Sequence, residues 1–501
     1  QPAEAIHHAL AAPDLARAAA LIEQAWRSAD RRFQGGTWLA WAQQLPAALV
    51  RERPVLSVGC AWALLDTGQV EAAEPYLEDA EHWLAPDADR TGMKVTASAE
   101  FAALPGIIAS ARAQLAQARR DGPATAHYAR RALALIPADD PFYRTIPSII
   151  LGLAQWESGD LGAAEAAFAE AQATFAQVGN EFFYLSSSAV LGEIRLAQGR
   201  LTAAETTFRD AMAWAEQQGE PLTLATAKLL RGLSKVQLAR HELEAMAETL
   251  ARCQSMRAHG ILVGSVHRVH VGYARLSLAL GKLDEALDHL DQAEQTSLWD
   301  RLPTLWPIDA LRALIWLRQG HWSEAERWAA SEAIEPAGPI PYAQEFAGLT
   351  QARILLAAYD RTREPEALAA ALALLDRLQA GAEQGHRQGS LIEVHWLQAL
   401  AEQSAGNEPA ALAALQQAVA LAEPEGYVNL FLAEGAAAAR LLARAASAGV
   451  ATDYVNQLRT ALASPAGATA TGPDILPDPL SDRELEILTL IASGRKNKEI
   501  A

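Results

Sequence analysis

Five cations stand out in a chain of 501 residues whose formal charge is −18. Lys228, Arg231 and Lys235 fall at i, i+3 and i+7, and Arg268 and Arg275 are seven apart. On helices, each set would share one face. Cations gathered at one place on an acidic protein concentrate positive potential, and that suits an anion or a group rich in hydrogen-bond acceptors. The alternative is that they pair with neighbouring acids, Glu193 and Asp309 among them. His267 and His270 could hold a metal with a third ligand, but no cysteine or aspartate pair stands nearby, so no metal is expected. Cys60 and Cys253 have no metal-ligand spacing, and a single disulfide would not make a scaffold; the expected compartment is a reducing cytoplasm. The serines at 186–188 lack a G-x-S-x-G elbow, no G-x-x-x-x-G-K-[ST] loop occurs, and no catalytic set emerges. The chain is therefore not expected to be an enzyme or to hold a cofactor. Its net charge also argues against general attraction to nucleic acid or an anionic membrane.

The elements that would position these residues follow a ruler of about 40 residues. The phrases GQVEAA, GDLGAA, GRLTAA, GKLDEA, GHWSEA and GNEPAA each carry a glycine with an alanine five residues later. The pairs are Gly68/Ala73, Gly159/Ala164, Gly199/Ala204, Gly281/Ala286, Gly320/Ala325 and Gly406/Ala411. Seven residues before each glycine stands a small residue: Ala61, Gly152, Gly192, Ala274, Ala313 and Ala399. A degenerate copy fits at Ser234, His241 and Met246. The glycine ends one helix in a left-handed conformation, and the small residue and the later alanine let two helices approach closely. Phe168 and Ala171, then Phe208 and Ala211, follow at helical spacing. Each unit reads as a helix hairpin that buries its apolar face only by stacking on its neighbours. "DGPATAHYARRALAL" near 121 and "EPEALAAALALLDRL" near 364 read as second helices of less regular hairpins. The apolar stretch "FAALPGIIASA" is too short to span a bilayer and is expected to break at Pro105.

The order of small residue, alanine, aromatic and alanine resembles the tetratricopeptide repeat, with units somewhat longer than its usual 34. In that repeat the residues six before, three before and one after the small residue face the inner groove. The resemblance implies that Lys228, Arg231, Lys235, Arg268 and Arg275 line the groove, with Glu193 one unit earlier. Trp62, Trp156 and Trp396 fall at or near inward positions and could stack on a sugar or ring; core packing is the alternative, and Trp316 and Trp328 have core spacing.

Near 464 the texture changes to "SPAGATATGPDILPDP", which reads as a linker over 464–479. In "LSDRELEILTLIASGRKNKEIA", Ser481 and Glu484 form a capping box, Leu485, Leu488 and Ile491 make an apolar stripe, and Gly494 stops the helix. The stretch resembles the start of the LuxR-type helix-turn-helix, with Lys496 where the family usually has serine. The family's third helix reads bases, and these residues stop before it. The resemblance implies phosphate contacts through Arg495, Lys496 and Lys498; a solvated loop is the alternative.

At the other end, "AIHHALAAPDLARAAALIEQ", "WLAWAQQLP", "RERPVL" and "AWALLDTGQVEAAEPYLEDAE" resemble the segment that leads into the sensor of MalT-type, ATP-dependent LuxR-family activators. That resemblance implies an upstream switch domain holding ATP and magnesium, self-association of the full-length protein, and DNA binding through a complete helix-turn-helix. It also implies a small-molecule inducer, anionic if the cation cluster receives it or carbohydrate-like if the tryptophans do. The expected fold is all-α: a right-handed superhelical solenoid of TPR-like hairpins, then a linker and a truncated helix-turn-helix. The expected divisions are a helical arm over 1–50, the sensor solenoid over 51–463, the linker over 464–479 and the partial DNA-binding unit over 480–501. A peptide-binding repeat scaffold with no direct role in transcription is the alternative.

Overall fold

The computed structural model describes residues 2–463 apart from 13, 32–34, 219–223, 257–265, 297–304, 333, 335–337, 339 and 450–452. The linker, the helix-turn-helix stretch and Arg495, Lys496 and Lys498 lie outside the described residues. Every regular element among the described residues is helical. Consecutive helices pack in pairs, such as Pro54–Asp66 on Val70–Leu84, Ser98–Ala118 on Gly122–Leu135, Val266–Ala279 on Leu283–Gln295, and Gln388–Ala405 on Glu408–Ala422. The two irregular second helices appear as Gly122–Leu135 and Pro365–Gln384.

Local chemistry explains these boundaries. At Gly199 the chain leaves the Glu181–Ala197 helix with φ 83°, a conformation open to glycine at little cost. Side chains then start the next helix: Asp121 accepts from the Ala124 N–H at 2.9 Å, and Asp160 from Ala163 at 3.1 Å. The small residues of the ruler make room for aromatic rings. A Cβ on Gly192 would come within 2.2 Å of the Phe208 ring, and one on Gly232 within 2.3 Å, so that ring lies between two glycines of successive hairpins. Phe168, Ala171, Phe208 and Ala211 are all buried. Pro105 does not break its helix, which runs unbroken as Ser98–Ala118. The neighbouring Gly106 packs against Ile136, where a Cβ would meet a side-chain carbon at 2.6 Å, so tertiary contact holds the turn that proline weakens. No helix among the described residues is long and apolar enough to cross a membrane.

The chain divides into two compact units, Gln1–Gln155 with Ala166–Tyr184, and Trp156–Glu165 with the residues from Leu185 onward. In the first, the N-terminal arm is tied down by a buried carboxylate. Glu23 accepts from Arg53 at 2.8 Å and from the backbone N–H groups of Thr96 and Ala97 at 2.7 and 2.9 Å. Trp38 donates to the Ile22 carbonyl at 2.8 Å within the same core.

The second unit closes on itself. The Val428 N–H donates to the Ala239 carbonyl at 2.8 Å, and the Thr202 N–H to the Glu425 carboxylate at 2.8 Å. His241 Nδ1 lies 3.0 Å from Asn429 Oδ1. The turn at Gly199 meets the start of the Gln388–Ala405 helix at Gly389 backbone to backbone: a Cβ on Gly199 would lie 2.5 Å from the Gly389 nitrogen. Early hairpins of this unit thus touch its last ones directly. Gly281 has a similar φ of 74° but no neighbour within 4 Å of an added Cβ. Gly199→Ala should therefore cost about 1–3 kcal/mol more than Gly281→Ala, because it adds overpacking to the shared backbone strain. Urea unfolding of the two variants side by side measures the difference; equal losses would mean that the closing contact carries no weight.

Candidate functional site

Closure leaves a cavity of about 790 Å³ inside the second unit. That is the size of a small-molecule pocket. Its wall comes from the first helices of successive hairpins: Glu181–Ala197, Leu224–Ala239, Val266–Ala279, Ile308–Gln319, Glu345–Thr362 and Gln388–Ala405, completed by residues around 427–435. The repeat positions explain which side chains face in. The residue just after the small one lines the wall in five successive hairpins: Glu193, Lys235, Arg275, Leu314 and Arg353. Side chains one turn further on, such as Leu196, Leu238 and Leu278, add apolar surface.

Paired charges dominate the polar part of the wall. Lys235 Nζ sits 2.6 Å from one Glu193 oxygen and 2.8 Å from the other. Burial opposes the Glu193 carboxylate, but Lys235, Arg231 and Arg268 outweigh it and hold its pKa below the ordinary range. Burial pushes Lys235 down to about 8, with Arg231 and Arg268 acting in the same direction against Glu193. Across the cavity, Arg353 bridges Glu393 and Glu434 at 2.8 Å each, and Arg318 reaches Glu434 at 2.9 Å. Burial disfavours ionised Glu434, yet the two guanidiniums keep its pKa low, and the two carboxylates push Arg353 up. Glu345 is held by Arg387 at 2.9 Å and by the Ser390 hydroxyl, but burial prevails and raises its pKa. Arg275 stacks its guanidinium 3.9 Å from the centre of the Trp306 ring, and Lys235 Nζ lies 4.6 Å from the same ring.

Of the residues singled out by the ruler, Glu193, Lys235 and Arg275 come together on this wall. Arg231 is buried behind it, close enough to act on both Glu193 and Lys235, as does the half-buried Arg268. Lys228 is half-buried on the Leu224–Ala239 helix and does not line the cavity. Trp62 packs in the core of the first unit, Trp156 is buried, and Trp396 is fully buried with its ring edge-on to Phe431 at 5.0 Å. His270 lies beside His289, their Nδ1 atoms 3.5 Å apart, in a buried cluster with Tyr273. Sequence reasoning missed Trp306, Arg318, Glu345, Arg353, Glu393 and Glu434. Glu393 stands six before Ala399, an inward position that went unused. Phe346, Leu349 and Arg353 stand six before, three before and one after Ala352, and all three line the wall. That hairpin lacks the ruler glycine, since Tyr359 stands where it would fall.

Removing one member of a buried ion network strands the others. Arg353→Leu should destabilise the second unit by about 3–5 kcal/mol in urea unfolding. Glu193 and Glu434 titrate below their ordinary 4.5, so the folded state binds fewer protons than the unfolded one. Their stabilisation is complete above that value and is lost as pH falls through the lowered pKa values; Glu345 works with the opposite sign. The melting temperature should fall between pH 6 and pH 3.5, and by less in Glu434→Gln.

The model of the MalT-like TPR region matches residues 106–448, a span that holds every charged wall residue named above. No curated protein sequence matches the chain. Among solved structures, the Rap protein complexed with Competence and Sporulation Factor is 10% identical with a TM-score of 0.51, over 74% of this chain and 98% of that one. The apo form of RapI is 11% identical with a TM-score of 0.39, over 75% and 99%. The human IFIT1 dimer with PPP-AAAA is 15% identical with a TM-score of 0.37, over 81% and 91%. The Rap likeness is one of fold, an all-helical run of TPR-like hairpins. By the match over most of its length, the chain belongs to the family of MalT-like TPR regions.

Proposed function

We propose that the chain is the signal-sensing region of an ATP-dependent, LuxR-family transcriptional regulator, and that the cavity of the second unit receives a small-molecule inducer. The observation that carries this reading is the cavity itself: a space of small-molecule size, walled by the repeat segment that matches the family. The resemblance of 480–501 to a LuxR-type helix-turn-helix supplies the connection to DNA, and the one to MalT-type activators supplies ATP, on a separate switch domain. On this reading the chain performs no chemistry and holds no cofactor. It converts occupancy into a change of self-association, because a ligand shifts an equilibrium only by its preference for one state over another.

Closure gives that preference a physical basis. A ligand spanning the wall touches hairpins from both sides of the seam formed by Gly199, Ala239, Gly389 and Val428, and so favours the closed arrangement. The Rap structure holds a factor on a similar fold, and that favours a second reading, a scaffold that binds a peptide. The two differ in where the ligand goes and in the effect its binding has on self-association.

A ligand specific to the folded state, present at 100 times its Kd, should stabilise the chain by about 2.7 kcal/mol, so thermal-shift screening against metabolites can find it. Leu314→Trp places a large side chain in the cavity. It should abolish that shift, and in the full-length protein with ATP it should abolish inducer-dependent self-association measured by sedimentation, with helicity unchanged. Self-association that still responds to the inducer in Leu314→Trp would sink the reading. Retained binding of an extended peptide alone, with no effect on self-association, would favour the scaffold.

A further inference from the structure

Four carboxylates line the cavity, and each already has a partner. Lys235 holds Glu193, Arg353 holds Glu393, Arg318 and Arg353 hold Glu434, and Arg387 with Ser390 holds Glu345. The cations of the same constellation are Lys235, Arg275, Arg318, Arg353 and Arg387. Arg231 and Arg268 also act on Glu193 from behind the wall, and among the described residues the lining cation without a carboxylate partner is Arg275. Among the described residues it forms no hydrogen bond or ion pair; its contact is the face of Trp306 at 3.9 Å. Glu193 and Glu393 act on it only through space, and burial pushes its pKa down to about 10, which leaves it charged at neutral pH.

Stacking uses the face of a guanidinium and leaves its edge, where the N–H donors lie in a planar fork. A half-buried cation with unused donors at a cavity wall is costly unless an anion meets it. The same cavity wall carries apolar surface from Leu278, Leu311, Leu314, Phe346 and Leu349.

We propose that the cavity takes a monoanionic amphiphile whose carboxylate lies along the edge of the Arg275 guanidinium and whose apolar body lies on that leucine and phenylalanine surface. This rests on reading the cavity as the signal site and names the class of signal. A carboxylate matches the fork in plane and makes two parallel hydrogen bonds. A phosphomonoester dianion would bring a second charge into the field of Glu193 and Glu393, both of which act on the same guanidinium.

The test uses octanoate, octanamide and octyl phosphate as probes of the whole chain by isothermal titration. Octanoate should bind once per chain, and octanamide about tenfold more weakly or worse, since the charge-assisted pair is lost. Arg275→Met should lose octanoate binding, with Arg275→Lys between it and the parent. Phenylglyoxal modification read by peptide mass mapping needs no variant to fold: Arg275 should react in the free chain and be protected by octanoate but not by octanamide. No heat from octanoate together with unprotected Arg275 overturns the proposal, as does octanoate affinity unchanged in Arg275→Met. Octyl phosphate binding more tightly than octanoate overturns the carboxylate assignment in favour of phosphate. Loss of this proposal would leave the inducer response of the full-length protein intact, whereas failure of the sensor reading would leave octanoate bound at Arg275 without a change in self-association.

Discussion

Backbone meeting backbone at Gly199 and Gly389 is the constraint on which the second unit depends. Without a side chain at either position, the early hairpins come close enough to the last ones for Val428 to donate to Ala239 and for Glu425 to accept from Thr202. Stacked hairpins alone would present their first helices along an open groove. Here the contact turns the groove into a partly open cavity, and the consequences are electrostatic. Charges that would be screened by water on an open face are held in a confined space, where pairing decides whether they are tolerated.

The wall combines stacking with a longer reach. Lys235 and Glu193 come from successive hairpins, as do Arg353 and Glu393, whereas Glu434 meets Arg318 and Arg353 from a segment that follows the last of these hairpins. The two groups balance differently: the carboxylates raise Arg353 against burial, whereas Glu193 does not hold Lys235 up. Burial opposes both charges, and the partner compensates by enough to keep Glu193 and Glu434 ionised but not enough to keep Lys235 near its ordinary value. Ion networks of this kind add little net stability relative to apolar packing. A wall whose donors and acceptors are held in place is preorganised for a ligand.

Much of the local fold was legible because glycine, small residues and aromatics do separate jobs at fixed spacing. Gly192 and Phe208 both stand at positions the spacing marks, since a ring between helices needs a missing side chain opposite it. The position after the small residue was legible too, and it led to Glu193, Lys235 and Arg275. Two kinds of information were not legible. Closure joins residues about 190 apart, Ala239 and Val428 for example, and no local spacing encodes such a contact. The hairpin of Glu345–Thr362 hid Arg353 because its corner uses Arg363, at φ 59°, in place of the glycine that flags the other copies. Lys228 and Arg268 share an inward register with the wall residues but stand nearer the starts of their helices, and spacing along one helix does not say how deep along its length the cavity lies.

His241 occupies a corner that the six regular copies of the ruler give to glycine, and it adopts φ 62° there in spite of its side chain. That side chain reaches Asn429 across the seam, a hydrogen bond glycine could not make. Consensus redesign, which restores the commonest residue at each repeat position, would relax the strained corner and sever this link in one step. The substitution expected to rigidify an isolated hairpin would here loosen the ring, so departures from the repeat are the places to look for what the ring needs.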